Sequence, residues 1–311
     1  MRMIETFQTL VDKVKEVSQY HYDKTIRLPE MEFESLDSLR IGSEAFAVLP
    51  SAQRLLANRL RVPHSYLVRC PADLQEENLN YWLREQAKER ETLFCRFAGN
   101  HLRAVFTDKY TAIDHTEILS KMAEYGFQPE TEVHYSLDPE LLVFKIPDYT
   151  RGFGSGEDRI IPGISVANSE VGVLALSIEA YFYRLVCSNG MIAKTEVTSR
   201  FKHISRRALE EFPGILKQVV DESEQSQRQL TISTQTTVDA PLETIAVFGW
   251  QFQLAKKEIE LVQQAWEAEQ GYTMFHVINA YTRSARDATL TVEEAYRLER
   301  VAGLILSLLK H

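Results

Sequence analysis

Apolar residues along this chain switch between two periods, and the switches mark its elements. Phe7, Leu10, Val11, Val14 and Val17 recur at helical spacing with a polar opposite face, which predicts a helix over Ile4–Val17. Lys24–Leu28 and Arg40–Val48 read as short strands or extended segments. Ser51 is placed to cap a helix carrying Ala52, Leu55, Leu56 and Leu60, which leaves at Arg61-Val62-Pro63. Asp73 caps a second helix, through Trp82 to about Arg90. Thr92–Phe97 and Leu102–Phe106, β-rich on either side of a Gly-Asn loop, predict a hairpin. Asp114 caps the next helix, Thr116–Tyr125, and Gly126 ends it. Glu132–Tyr135 and Leu141–Ile146 form a further strand pair about Asp138-Pro139. Pro147–Glu157, with three Gly and a Pro, is a loop.

The stretch Arg159–Arg207 is the richest in the chain. Ile160–Val166 and Val171–Tyr183 are β-rich, and Asn168-Ser169-Glu170 between them reads as a turn whose side chains bond nearby backbone. Leu174, Leu176, Ile178, Ala180 and Phe182 alternate. That predicts one long strand over Leu174–Leu185, with Ser177, Glu179, Tyr181 and Tyr183 sharing its other face. Ser188-Asn189-Gly190 is the turn after it, since Asn-Gly accepts positive φ. Ala208–Gln229 then reads as helical, Glu222–Ser233 as a polar linker, and Ile245–Gln270 and Phe275–Ala285 have helical spacing. Thr291 with Glu294 is a capping box that opens the last helix. That helix ends LERVAGLILSLLKH, apolar on more than one face, which predicts burial or a subunit contact. The sum is an α+β chain: a mixed or antiparallel sheet packed with helices, followed by a mostly helical C-terminal part. Residues 1–91 read as a mostly helical lead-in, 92–204 as the central sheet region, and 205–311 as the helical remainder.

Composition narrows the classes. A hydrophobic content of 44% and a charged content of 25% are those of a globular chain. The net charge of -9 excludes a protein that coats nucleic acid with its whole surface, but leaves room for local basic patches. Cys70, Cys95 and Cys187 make neither a disulfide framework nor a zinc site, so a reducing cytoplasm is the simpler setting. The opening MRMIETFQTLVDKVKEV does not read as a signal peptide, and the apolar runs are far short of the ~20 residues that span a bilayer.

Candidate chemistry is sparse. Asn168, Ser169 and Glu170 put an amide, a hydroxyl and a carboxylate on one turn. A tight turn accounts for the first two, yet does not require a carboxylate at Glu170. Cys187 is a candidate nucleophile with no histidine assigned to it, and a small buried hydrophobe is the commoner role. His115, His134 and Asp108 lack a recognised ligand spacing, so no metal is expected. No cofactor is expected either, because the glycines of Gly152–Gly156 lack the Lys-Ser/Thr of a phosphate loop. Two basic clusters stand against the acidic background. Arg54, Arg59, Arg61 and Arg69 share a segment without any acid; Lys194, Arg200, Lys202, Arg206 and Arg207 share another, diluted only by Glu196. With Tyr66 and Phe201 nearby, one reading is phosphate neutralisation and base stacking on single-stranded DNA. The other is solvated faces paired with acids elsewhere.

In ISVANSEVG, YFYRLVCSNGM, NAYTRSARD and LERVAG, and in the earlier AVFTDKYTAID, the chain resembles the phage/plasmid-like domain-of-unknown-function 932 family of bacteria, from about Pro50 onward. The resemblance implies a mobile-element protein of DNA recombination or replication whose biochemistry is unsettled. Its recurring polar residues, carried onto this chain, are Asp108, Tyr110, Asn168, Ser169, Glu170, Arg184, Cys187, Asn189, Gly190, Asn279 and Thr282. The expected function is binding or annealing of single-stranded DNA by a cytoplasmic homo-oligomer that associates through its last helix. Two alternatives stand beside it. One is a hydrolase acting on a nucleotide or phosphodiester, with Glu170, Cys187 and Asp108 as its catalytic groups and Arg184 beside them. The other is a homo-oligomeric interaction module without bond chemistry.

Overall fold

Two six-stranded sheets divide the β-structure of the computed structural model, which describes residues 3–153, 159–184, 189–193, 214 and 228–309. Cys187, Lys194, Arg200, Lys202, Arg206 and Arg207 lie outside the described residues, as does most of the helix expected over Ala208–Gln229. The chain opens with β1 (Met3–Thr6), α1 (Phe7–Ser18), β2 (His21–Arg27), β3 (Met31–Phe33), β4 (Ser38–Ile41) and β5 (Glu44–Val48). Helices α2 (Pro50–Arg59), α3 (His64–Leu67) and α4 (Ala72–Glu89) follow, then β6 (Thr92–Ala98), β7 (His101–Phe106) and α5 (His115–Glu124). Next come β8 (Glu132–Leu137), β9 (Leu142–Pro147), β10 (Ile160–Asn168), β11 (Ser177–Arg184) and β12 (Asn189–Ala193). The chain closes on α6 (Pro241–Gln251), α7 (Lys256–Ala268), α8 (Met274–Ser284) and α9 (Val292–Ser307). This is the α+β class that the two periodicities predict.

The first sheet runs β1-β8-β9-β10-β11-β12 and is antiparallel throughout. Period two assigns its faces. Leu142, Phe144, Val166, Ile178, Ala180 and Phe182 point to one side, where α1 and α5 bring Phe7, Leu10, Ile118 and Met122. Val143, Ile161, Ala167, Tyr181 and Tyr183 point to the other, where α9 lays Val292 and Tyr296. Gly163 pairs with Pro147 so closely that a Cβ there would sit 2.2 Å from the carbonyl oxygen of Ile146. A backbone atom cannot rotate away, so Gly163→Ala is expected to destabilise by about 2–3 kcal/mol in a denaturant titration.

The second sheet runs β2-β6-β7-β5-β4-β3, with β5 and β7 its parallel pair. Helices α2 and α4 cover one face with Ala52, Leu56, Leu79 and Leu83. Its edge strand β3 is closed by a side chain. The Asn80 amide accepts from the Phe33 N–H at 2.8 Å and donates to the Phe33 carbonyl at 2.8 Å, as a neighbouring strand would.

Several local expectations differ from this structure, each for a tertiary reason. The lead-in 1–91 carries α1–α4 and also five strands that its local pattern only partly announces, and β2 and β5 complete the sheet that β6 and β7 begin. Ser51 does not cap α2. Leu49 holds the cap position, Pro50 starts the helix, and the buried Ser51 hydroxyl donates to the Arg103 carbonyl at 2.7 Å. Pro71, not Asp73, precedes α4. Asn189 and Gly190 are not the turn itself; they pair with Arg184 and Tyr183 as the first residues of β12. Residues 230–233, expected only as linker, lie in a helical run over 228–235. The helical run over Ile245–Gln270 is broken between α6 and α7, where Gln253 takes a φ of 56°. The last helix begins at its expected capping box, and the chain itself covers its apolar faces: Val301, Ala302, Ile305 and Leu306 are buried in the main core.

Candidate functional site

The turn after β10 leaves the first sheet and plugs into the second. Each residue from Asn168 to Gly172 has a partner or a packing role. The Asn168 amide nitrogen donates to the Ile113 carbonyl at 3.0 Å and to His115 Nδ1 at 3.0 Å. Since an amide nitrogen has no lone pair to offer, Nδ1 is the acceptor and the His115 proton sits on Nε2. Burial lowers the pKa of His115, in keeping with that neutral ring. The Ser169 hydroxyl donates to the Glu140 carbonyl at 2.6 Å and accepts from the N–H groups of Val171 and Val173. Gly172 has φ +81°, and a Cβ there would lie 2.8 Å from the ring of Phe106. That ring stacks on Tyr110, with centroids 3.7 Å apart.

Glu170 is the centre of the turn, with both carboxylate oxygens engaged. Oε1 accepts from the His115 N–H at 2.9 Å, at the start of α5, and Oε2 accepts from Arg103 Nη2 at 2.9 Å. The cap expected of Asp114 is thus supplied by Glu170, which lies 55 positions away from His115 in the chain. Asp114 instead joins Arg96, whose other donors reach Asp23 at 2.9 Å and the Glu170 carbonyl at 3.1 Å. Arg103 also donates to His21 Nδ1 at 2.9 Å; a guanidinium only donates, so that nitrogen accepts. Burial alone would raise the Glu170 carboxyl. The Arg103 guanidinium and the His115 N–H outweigh it and hold the group well below the usual carboxylate range. Arg103 and the peptide N–H donate to it directly. Burial also opposes the charge of Arg96, and Asp114 and Asp23 overcome it. Burial pushes the Tyr110 phenol up to about 12. An anion of such low basicity, 2% exposed, is suited to joining two sheets rather than to taking a proton near neutral pH.

The other expected site residues fall apart in space. Asp108 is exposed and pairs with Arg90 at 2.9 Å. Arg184 pairs with Glu269 at 2.6 Å and lies over the Phe275 ring. It does meet Asn279 and Thr282, with which it lines a cavity of about 20 Å³, and the Asn279 amide nitrogen there has no hydrogen bond among the described residues. Of the basic residues, Arg54 pairs with Glu140, Arg61 is exposed at a φ of 58°, and Arg59 is half-buried. Arg59 makes no hydrogen bond or ion pair among the described residues. Burial, then the neighbouring Arg90 guanidinium, lowers its pKa.

A second polar assembly escaped the local reading. Strand register sets His134, Lys145, Ser165 and Glu179 side by side across β8, β9, β10 and β11, all buried. Helix α9 closes over this row. Glu299 takes Lys145, and Arg300 reaches Glu179 at 3.1 Å. The Tyr296 hydroxyl meets Glu179 at 2.7 Å and Ser177 at 2.7 Å. Alternation placed Ser177 and Glu179 on one face, and LERVAG contains Glu299 and Arg300; the pairing between them needed the register.

Among the described residues, no three His, Cys, Asp or Glu side chains converge as a metal would require, and no helix is long and apolar enough to cross a membrane. No curated protein and no solved structure matches the chain. One family model does match, that of a domain of unknown function, DUF932, over residues 103–300. The matched span is narrower than the one from Pro50 that the motifs suggest. It opens on Arg103 and takes in Glu170, Lys145, Glu179 and Glu299, the ionic centres of both buried assemblies. The chain belongs to the DUF932 family.

Proposed function

We propose that this protein binds single-stranded DNA in the cytoplasm, in the recombination or replication of a mobile element. The observation that carries the reading is Arg59. A half-buried guanidinium without a carboxylate partner, next to a second guanidinium, is costly to keep and is repaid by an anion from outside. Arg61, Arg69 and Tyr66 are exposed beside it on the α2–α3 segment, which supplies further charge and a ring for base stacking. The segment from Arg54 to Arg69 holds no acid to repel a phosphate chain. The hydrolase reading at Glu170, Cys187 and Asp108 has no comparable observation behind it.

Fluorescence anisotropy with a labelled single-stranded oligonucleotide across a salt series tests the proposal. Binding is expected to weaken steeply with salt, and Arg59→Ala/Arg61→Ala to lower the slope by about 0.7 for each phosphate no longer neutralised. Absence of binding at low salt, or binding indifferent to salt, would overturn it. Mass determination on the same sample tests self-association.

A further inference from the structure

Polar positions from two separate sequence motifs meet at one cavity. Arg184 closes β11 in YFYRLVCSNGM, and Asn279 and Thr282 lie one turn apart on α8 in NAYTRSARD. Together they line a cavity of about 20 Å³ whose remaining wall is apolar, with Phe182, Phe275 and Ile278 in it. We propose that this cavity is a binding site for a single halide ion, chloride under ordinary ionic conditions. The proposal is independent of the DNA reading.

The argument starts from Asn279. The residue is 8% exposed, and its amide nitrogen is buried with no hydrogen-bond partner among the described residues. Buried polar groups almost always have a partner, so a stranded donor in the wall of a cavity calls for an occupant that accepts. Thr282 does not take up this donor, because its hydroxyl donates to the Asn279 carbonyl at 3.0 Å. Among the described residues, Arg184 is the only charged side chain in the wall, and a guanidinium only donates. Its partner Glu269, at 2.6 Å, lies outside the wall and also meets Arg283 at 3.4 Å, so two guanidiniums share one carboxylate there. An acceptor of negative charge fits such surroundings. Size then selects among anions. The cavity has room for about one water-sized occupant, which excludes a phosphate, a carboxylate group or a base. A water would need acceptors for its own protons, and the wall offers little beyond the Thr282 oxygen. A halide needs no acceptor and tolerates an apolar remainder.

Chlorine-35 NMR and thermal melts of the full chain test this, with sodium gluconate holding the ionic strength constant. Chloride is expected to show excess linewidth that bromide displaces. Both ions are expected to raise the melting temperature saturably, bromide at least as well as chloride because it sheds its water more readily, and fluoride is not. That order is the reverse of the general effect of salts on apolar burial, so the two are separable. Asn279→Leu removes the stranded amide at similar volume, which the fold is expected to accept, and Arg184→Gln removes the charge. Each is expected to weaken halide binding by about tenfold or more, as loss of one hydrogen bond to an ion does. No displaceable linewidth, a melting temperature that rises equally in fluoride, or unchanged affinity in both variants would overturn the site.

Discussion

Glu170→Ala is expected to lower the stability of the fold by about 3–5 kcal/mol, the usual cost of removing one partner of a buried ion pair. The substitution leaves the Arg103 guanidinium, 5% exposed, with His21 alone, and strips the first N–H of α5 of its acceptor. Since Glu170 joins the two sheets, the loss is expected in the cooperative transition of the whole unit. Urea titrations of both proteins at neutral pH give the difference directly, and a change below about 1 kcal/mol would show that the hub is not the joint described here. The pH dependence has a definite sign. The folded pKa of Glu170 lies below its unfolded value of about 4.3, so its contribution is complete above that value and is lost as pH falls toward the folded pKa. Glu170→Gln is expected to lack that part of the acid sensitivity; a parent and variant that lose stability in parallel below pH ~4.3 would count against it.

Lys145→Met is expected to cost a similar amount, about 3–5 kcal/mol, because it strands the Glu299 carboxylate, 6% exposed, beneath α9. The pair offers a sharper test than the single variant. Lys145→Met combined with Glu299→Leu removes both charges at near-constant volume, and most of the stability is expected to return. Equal losses in the single and double variants would mean that packing, not the unpaired charge, sets the cost. The double variant keeps the Glu179–Arg300 pair and so leaves the rest of the row as an internal reference.

Much of the scaffold was legible locally. The β6–β7 hairpin, the β8–β9 pair, the alternation of β11 and the capping box of α9 all depend on residues within a few positions of one another, and period and turn chemistry suffice to locate them. The division of the strands into two sheets was not recoverable that way. Strand β2 pairs with β6 across some seventy positions (Ile26 with Leu93), and nothing in a short window states which strands will meet. The role of Glu170 had one local signal, a carboxylate where a turn needs none, but its partners could not be read. Arg103 lies 67 positions away, and Glu299 lies 154 positions from Lys145. Side chains such as Lys145 and Glu299 look like ordinary surface charges until burial is known.

The sequence by itself determined the class, the positions of most elements, the two faces of β11 and the family, since each rests on local periodicity or on a contiguous motif. The tertiary structure alone decided that there are two sheets, that Glu170 caps α5 and pairs with Arg103, and that His134, Lys145, Ser165 and Glu179 align beneath Tyr296, Glu299 and Arg300. The physical reason is common to all three. Strand register and desolvation are properties of contacts between distant segments, and they turn polar residues of unremarkable spacing into buried, mutually dependent charges.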